Sequence, residues 1–225
     1  NSKPEMIVVD EKGFRSLPGS IAVARAYISG ASGDVAGTMT YARQAIDNLP
    51  EDANFWRGAA TAFLGISNWA LGNLEEAHEA FANGIAILKL EGDTDLEVSG
   101  DYVLAKIRMG QGRLRAAQRT IEQAIQVSKD LGEPAVIGTS DLYVGLAELN
   151  CEYGDVESAS KYLSQSQELG EHAAINENLH HLYIVKSRIK MIEGDSDAAL
   201  DLLAEAGRVY VKSPSPDVHP VASLQ

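Results

Sequence analysis

The chain has 225 residues and a formal net charge of −13, from 19 Lys and Arg against 32 Asp and Glu. Its length supports a buried core without disulfide or metal staples, and its acidity argues against binding to nucleic-acid phosphates or anionic membranes. Cys151 is the single cysteine, which excludes an internal disulfide and is typical of a reducing compartment, so we expect a cytoplasmic protein.

The N-terminal segment lacks the pattern of a secretory signal. The first twenty residues contain only the short apolar run Met6–Val9, and no stretch has the roughly 18 consecutive apolar residues that cross a bilayer. For residues 1–15 we predict an N-terminal arm, and the sequence leaves open whether it is strand-like, a packing cap or disordered. Few segments alternate with the period of two that strands require, so we predict an all-α fold.

From residue 16 onwards the chain repeats with a fixed period. Its turn glycines are spaced 39, 40, 42 and 40 residues apart, and all but one are followed directly by Asp or Asn. Glycine accepts the left-handed conformation that ends one helix, and Asp or Asn caps the next. Over residues 16–211 we therefore predict five helical hairpins, with turns at Gly33, Gly72, Gly112, Gly154 and Gly194.

The packing positions repeat with the same period. Small residues stand seven positions before each turn glycine and five and twelve positions after it, where two helices must approach closely. Bulky residues stand nine positions after it in four of the five units. The small columns are Ala26, Gly65, Ala105, Ala147 and Ser187; Thr38, Ala77, Ala117, Ala159 and Ala199; and Ala45, Gly84, Ala124, Ser166 and Ala206.

These columns resemble the tetratricopeptide repeat (TPR), whose small, glycine, alanine, aromatic and alanine positions have the same offsets. Pro50, seventeen residues after Gly33, falls on that repeat's terminal proline position. The family period of 34 is about six residues shorter than the period here. We expect the additional residues in longer helices or in links such as Glu91–Thr94 and Gly132–Pro134.

The order of the segments also resembles the sensor region of the large ATP-dependent LuxR-type transcription activators, the MalT-like family, over about residues 20–211. This resemblance implies a right-handed superhelix and a connector over residues 212–225 that leads toward a missing C-terminal part. It further implies an upstream nucleotide-binding module and a downstream helix-turn-helix. The segments that carry it are GSIAVARAYISGASGDVAGTMTYARQAIDNLP, RGAATAFLGISNWALGNLEEAHEAFANGIAI, VLAKIRMGQGRLRAAQRTIEQAI and LYVGLAELNCEYGDVESASKYLSQSQELGE.

Catalytic and metal-binding patterns are absent from the sequence. There is no Gly-Lys pair for a P-loop, and neither G-x-S-x-G nor H-E-x-x-H occurs. His180 and His181 lack the three or four converging ligands of a metal site, so we expect a solvated or partly buried pair. Cys151 has no neighbouring lysine to lower its pKa, and we interpret it as packing or groove lining. We therefore predict no enzyme activity, cofactor or metal.

A local basic cluster contrasts with the overall acidity of the chain. We interpret it as a solvated turn and helix face, because it lacks the interleaved aromatic residues of a single-strand nucleic-acid surface. The alternative is docking against an acidic neighbouring domain of the same polypeptide. The cluster comprises Arg108, Arg113, Arg115 and Arg119.

A ligand is expected on the inner face of the array, which the first helix of each TPR hairpin lines. The family's groove positions, transferred to this chain, hold both aromatic and charged residues. A polar small-molecule or peptide site has the same mixture. We hypothesise that Lys106, Glu148 and Arg188 bind the effector, whereas Trp69 also fits a core position. The candidate groove residues are Tyr27, Trp69, Tyr102, Lys106, Glu148, His181 and Arg188, and the same positions hold Ile66, Met109, Cys151, Glu152 and Met191.

Two functions fit these observations. The resemblance implies a non-catalytic sensor of a transcription regulator, with a small-molecule effector or a regulatory protein in its groove and contacts to other domains of the same polypeptide. The alternative is a free-standing TPR scaffold that docks a peptide segment of a partner. A helix-turn-helix beyond Gln225 in the parent gene would distinguish the first from the second.

Overall fold

The structure, a computed structural model of the chain, describes residues 9–92, 94–132, 134–175 and 178–212. Over these residues it is helical and contains no strand, which confirms the predicted all-α class. The helices are α1 (Glu11–Ala31), α2 (Val35–Asn48), α3 (Asn54–Ala70), α4 (Leu74–Lys89), α5 (Thr94–Gly110), α6 (Leu114–Leu131), α7 (Thr139–Tyr153), α8 (Val156–Leu169), α9 (Leu179–Glu193) and α10 (Ser196–Lys212), with a short 3₁₀ turn at Glu171–Ala173.

Each predicted turn glycine ends the first helix of a hairpin. All five have positive φ, between 72° and 85°, and the residue after each donates its N–H to the carbonyl five positions earlier at 2.8 to 2.9 Å. This is the Schellman arrangement, which satisfies carbonyls at a helix end. A methyl group at any of the five would meet nothing within 4 Å. The backbone conformation, and not lack of space, therefore requires glycine.

The residue after the glycine caps the second helix in three hairpins. Asp34, Asp155 and Asp195 each accept a hydrogen bond from the N–H three residues later, at 2.8, 3.0 and 3.1 Å. The predicted cap at Asn73 is wrong, because its side chain makes no capping bond and its amide donates to Asn68 at 3.4 Å instead. A carboxylate at this position thus caps the helix, whereas the amide does not.

The three columns of small residues lie at the contacts between helices, and all their members are buried. The approach is close at Gly65, where a Cβ would lie 2.6 Å from the backbone nitrogen of Phe81. The bulky column fills the neighbouring space: Phe81, Ile121 and Leu163 are buried, and Leu203 is half-buried. Four apolar clusters consequently follow one another along the array, each between adjacent hairpins.

The hairpins stack in two layers. The second helix of each hairpin packs on the first helix of the next, and first helices also contact each other directly at the α1–α3, α5–α7 and α7–α9 junctions. First helices therefore approach one another more closely than second helices do, and the array curves with the first helices inside. Some of the additional residues per repeat lie in the long helices α5 and α6, which have 17 and 18 residues. Others lie in the links after α6 and α8.

The first helix begins earlier than the predicted domain boundary. Residues 11–15 of the predicted arm are helical, because Asp10 accepts a hydrogen bond from the N–H of Gly13 at 2.8 Å and starts α1 at Glu11. At the other end, α10 includes Lys212, the first residue of the predicted connector. The rest of the predicted connector, residues 213–225, and residues 1–8 of the arm lie outside the described residues.

Candidate functional site

The candidate site lies on the inner face, six positions before the turn glycine. Three consecutive first helices, α5, α7 and α9, carry Lys106, Glu148 and Arg188 at this position. The Lys106 ammonium donates to Oε2 of Glu148, and Nη1 of Arg188 donates to Oε1 of the same carboxylate at 3.4 Å. Arg188 also donates to Glu152, one turn further along α7. We refer to Lys106, Glu148, Glu152 and Arg188 as the inner-face network.

Glu148 is the centre of this network. Its side chain is 18% exposed, and that of Lys106 is 14% exposed. Burial opposes ionisation of Glu148, but the adjacent Lys106, with His181 and Arg188, outweighs that cost and holds the pKa of Glu148 below its ordinary value. Burial likewise opposes the charge of Arg188, and the hydrogen bond to Glu152 together with Glu148 raises the pKa of Arg188. Two cations and two carboxylates thus stabilise one another across three hairpins.

Two aromatic residues predicted for the groove lie beside each other. The rings of Tyr102 and His181 meet edge to face, with centroids 6.4 Å apart, and Tyr102 is buried in the core between the third and fourth hairpins. His180 is fully buried, more so than predicted, and its ring lies 4.1 Å from that of His181 and 5.2 Å from that of Tyr210. His181 thereby links this aromatic group to Glu148, whose charge it favours.

The remaining predicted groove residues lie elsewhere. Trp69 is buried in the apolar cluster between the second and third hairpins, and Tyr27 is half exposed on the first hairpin, with its ring 6.4 Å from that of Phe63. Cys151 is buried among the fourth and fifth hairpins, and burial raises the pKa of its thiol. The structure therefore brings five of the seven predicted site residues into two adjoining groups and leaves Tyr27 and Trp69 on other hairpins.

Two members of the basic cluster make contacts between hairpins, and the other two are exposed. Arg108 is half-buried, donates to His78 at 3.3 Å and to the hydroxyl of Thr120, and burial lowers its pKa. Arg113 pairs with Glu75 of the preceding hairpin at 2.9 Å. The prediction of a solvated face is thus wrong for Arg108, because that side chain joins the second and third hairpins. Both remaining members of the cluster, Arg115 and Arg119, are exposed.

Two pockets lie away from the inner-face network. One, of about 410 Å³, is formed by the first two hairpins and includes Lys12, Asp52 and Trp56. The other, of about 320 Å³, lies between the fourth and fifth hairpins and includes Tyr183 and Lys186. Lys186 is absent from the predicted site residues, although comparison of its position across the repeats would have shown a charge where three other hairpins have leucine.

Among the described residues, no three His, Cys, Asp or Glu side chains are placed to hold a metal ion together. None of the helices in the same part of the chain is both long and apolar enough to cross a membrane.

Comparisons with solved structures show the same fold. Aspartyl phosphate phosphatase F from Bacillus subtilis matches with a TM-score of 0.73 and 16% identity over 91% of this chain and 53% of that protein, so the chain spans about half of its length. A structure of nearly identical TPR-like repeats from a putative Podosopora anserina kinesin light chain matches with a TM-score of 0.56 and 18% identity, over 88% of this chain and 98% of that one. The thermophilic TPR protein TTC0263 of Thermus thermophilus matches with a TM-score of 0.55 and 17% identity, over 88% and 98% of the two chains.

The sequence comparisons identify the family. No curated protein matches the sequence. The family model described as the MalT-like TPR region matches residues 19–225, which confirms the resemblance drawn from the repeat columns and the order of the segments. Together with the ten packed helices of the described residues, this match makes the chain a helical-repeat interaction scaffold, and it belongs to the MalT-like TPR family.

Proposed function

We propose that this chain is a non-catalytic sensor domain that binds an effector on its inner face, at the inner-face network and the adjoining ring of His181. The effector is a polar small molecule or a segment of a regulatory protein. The observation that carries the proposal is the pairing of Lys106, Glu148 and Arg188 across three successive hairpins. These charges stand where a bound molecule touches several repeats at once.

The network connects binding to the shape of the array. Lys106 and Glu148 hold α5 against α7, while Arg188 holds α9 against α7. A polar effector that exchanges hydrogen bonds with these groups changes the forces between neighbouring hairpins, and therefore the curvature that is most stable. Such a shift requires the effector to bind the two curvatures with different affinities.

Membership of the MalT-like TPR family supports a role in a larger regulator. In this proposal the change of curvature is relayed to an ATPase module and a helix-turn-helix module elsewhere in the same polypeptide, where it relieves autoinhibition. Reading the parent gene on both sides of this segment tests the relay. A P-loop upstream and a helix-turn-helix downstream are expected, and a gene that lacks both contradicts the regulator role.

The binding site is tested with two classes of probe. A panel of neutral mono- to trisaccharides and of amino acids is screened by thermal shift, and compounds that raise the melting temperature are measured by calorimetry. Lys106→Gln and Arg188→Gln are expected to weaken binding at least about tenfold, which is the effect of losing one charge-assisted hydrogen bond. Lys190→Gln is the matched control, because Lys190 lies on the same helix α9 but its one ion pair within the described part of the chain is with the exposed Glu193.

Small-angle scattering provides the second readout. A compound that binds at the network is expected to change the radius of gyration of the wild-type chain and to leave that of Lys106→Gln unchanged. Equal affinity for the wild type and for all three variants would place the compound outside the network and contradict the proposed site.

A further inference from the structure

The pocket between the fourth and fifth hairpins has features of a ligand site that is separate from the inner-face network. Its volume of about 320 Å³ falls within the usual range for small-molecule pockets. Its walls come from α7, α8, α9 and α10, and no residue of the network lines it. Leu179, Leu182 and Val209 supply apolar surface, whereas Ser140, Ser166 and Lys186 supply polar groups.

The repeat pattern places Lys186 at a position that is apolar in three of the hairpins. It stands eight positions before its turn glycine, where the second, third and fourth hairpins have Leu64, Leu104 and Leu146 and the first has the exposed Arg25. Leu104 and Leu146 are buried and face the preceding hairpin. Helix α9 therefore presents an ammonium group toward the fourth hairpin from a position that is part of the apolar core in the third and fourth hairpins.

This ammonium has no anionic partner among the described residues. It contacts the ring of Tyr183, at 5.6 Å from the centroid, and burial lowers the pKa of Lys186. Lys89 and Lys106 are half-buried as well, but both pair with carboxylates. A half-buried cation without a counterion is unfavourable, and a bound anion relieves that cost. Two buried serine hydroxyls, 2.8 Å apart, provide further polar surface in the same pocket.

We propose that this pocket binds a small organic acid, with its carboxylate against the Lys186 ammonium and its apolar part against Leu179, Leu182 and Val209. The single ammonium group of Lys186 matches a ligand with a single negative charge. The apolar walls favour an acyl or aromatic acid over a fully hydrophilic anion such as inorganic phosphate. The pocket shares no lining residue with the inner-face network.

The charge on Lys186 gives the binding a defined pH dependence. Tyr183 is the other ionisable side chain among the described residues that line the pocket, and α7, α8 and α10 contribute none to the lining. As long as the acid is ionised, its affinity is therefore constant while Lys186 is protonated and falls as the pH rises through the lowered pKa of Lys186. Because a bound anion stabilises the ammonium, binding near that pH is accompanied by proton uptake.

Calorimetry with hexanoate as the probe tests the proposal, with hexanamide as its neutral analogue and inorganic phosphate as an anion without an apolar part. The wild-type chain is expected to bind hexanoate at least about tenfold more tightly than either. Lys186→Leu introduces the residue that the second, third and fourth hairpins have at this position, so it is expected to fold and to lose at least about tenfold in hexanoate affinity. Lys161→Leu removes an exposed lysine of α8 and is the matched control, with unchanged affinity.

Chemical labelling of the wild-type chain gives a readout that needs no variant. Saturating hexanoate is expected to protect Lys186, but not Lys161, from acetylation by an N-hydroxysuccinimide ester, as measured by peptide mapping. Failure of hexanoate to bind or to protect Lys186 would overturn the proposal, and so would equal binding to the wild type and Lys186→Leu. Tighter binding of phosphate than of hexanoate would overturn the class of ligand.

Discussion

The close approach of α3 and α4 at Gly65 offers a direct test of the repeat packing. A methyl group on Gly65 of α3 would lie 2.6 Å from the backbone nitrogen and from Cβ of Phe81, and 2.7 Å from its Cα. Carbon atoms in contact are normally about 3.5 to 4.0 Å apart. Gly65→Ala therefore forces α3 and α4 apart by about 1 Å, and no side-chain rotation relieves the clash because it involves backbone atoms.

The magnitude follows from two opposing effects. Overpacking a well-filled contact costs about 1 to 3 kcal/mol, whereas replacing glycine by alanine inside a helix returns up to about 1 kcal/mol. Because the clash is with backbone atoms, we place the cost at the upper end of its range, about 2 to 3 kcal/mol. After the gain in helix propensity, we expect Gly65→Ala to lower the free energy of unfolding by about 1 to 2 kcal/mol, which corresponds to roughly 2 to 8 °C in melting temperature for a chain of this size.

Gly110→Ala is the matched control. A methyl group there would lie 3.6 Å from Cδ2 of Leu74, an ordinary contact, and Gly110 does not have positive φ. Because Gly110 is the last residue of α5, only part of the gain in helix propensity is expected, and the variant should be neutral or slightly more stable. Urea unfolding followed by circular dichroism measures both variants. Equal stability of Gly65→Ala and the wild type would refute the close contact of α3 and α4.

Three further predictions concern the site and the turns. Glu148→Gln should cost about 1 to 3 kcal/mol at pH 7, against at most about 0.5 kcal/mol for Glu75→Gln, whose side chain is 70% exposed. Because folding lowers the pKa of Glu148, its contribution is complete above its unfolded pKa and is lost as the pH falls through its folded pKa. Acid unfolding should therefore be steeper in the wild type than in Glu148→Gln, and parallel curves would contradict the pairing. Burial raises the pKa of Cys151, so iodoacetamide at pH 8 should alkylate the folded chain at least about tenfold more slowly than the urea-unfolded chain, as followed by mass spectrometry, and equal rates would count against the burial. Gly154→Ala should cost about 1 to 2 kcal/mol because φ is 75°, and Gly154→Asn less, as compared by thermal melting; a neutral alanine would exclude the left-handed turn.

The repeat architecture could be predicted from the sequence because it depends on steric rules that recur every period. Glycine is required at a turn by the conformation of its own backbone alone. A small residue is required wherever a neighbouring helix lies close. The two predictions about helix ends that were wrong, the cap at Asn73 and the start of α1, have the same local origin. Asn73 and Asp34 occupy the same repeat position, but only the carboxylate caps its helix, and the early start of α1 depends on one hydrogen bond to Asp10.

The candidate site was predictable only in part. The shared repeat position placed Lys106, Glu148 and Arg188 on one face, but their mutual pairing depends on how far each hairpin is rotated against the next. That rotation is set by packing across the junctions, which the sequence does not state. Trp69 illustrates the same limit, because its groove position and its core position differ by a small rotation of α3, and the structure buries it in the cluster with Phe81.

Helix α9 connects the two proposed sites. Arg188 and Lys186 are two residues apart, which separates their side chains by about 200° around a helix. Arg188 consequently reaches the inner-face network, while Lys186 reaches the pocket on the side of the fourth hairpin. An acid that draws α9 toward α7 and α8 also changes the spacing between Arg188 and Glu148. Linkage then requires that hexanoate and the inner-face effector alter each other's affinity by the same factor, and a factor of one would show that the fifth hairpin moves as a rigid unit with the fourth.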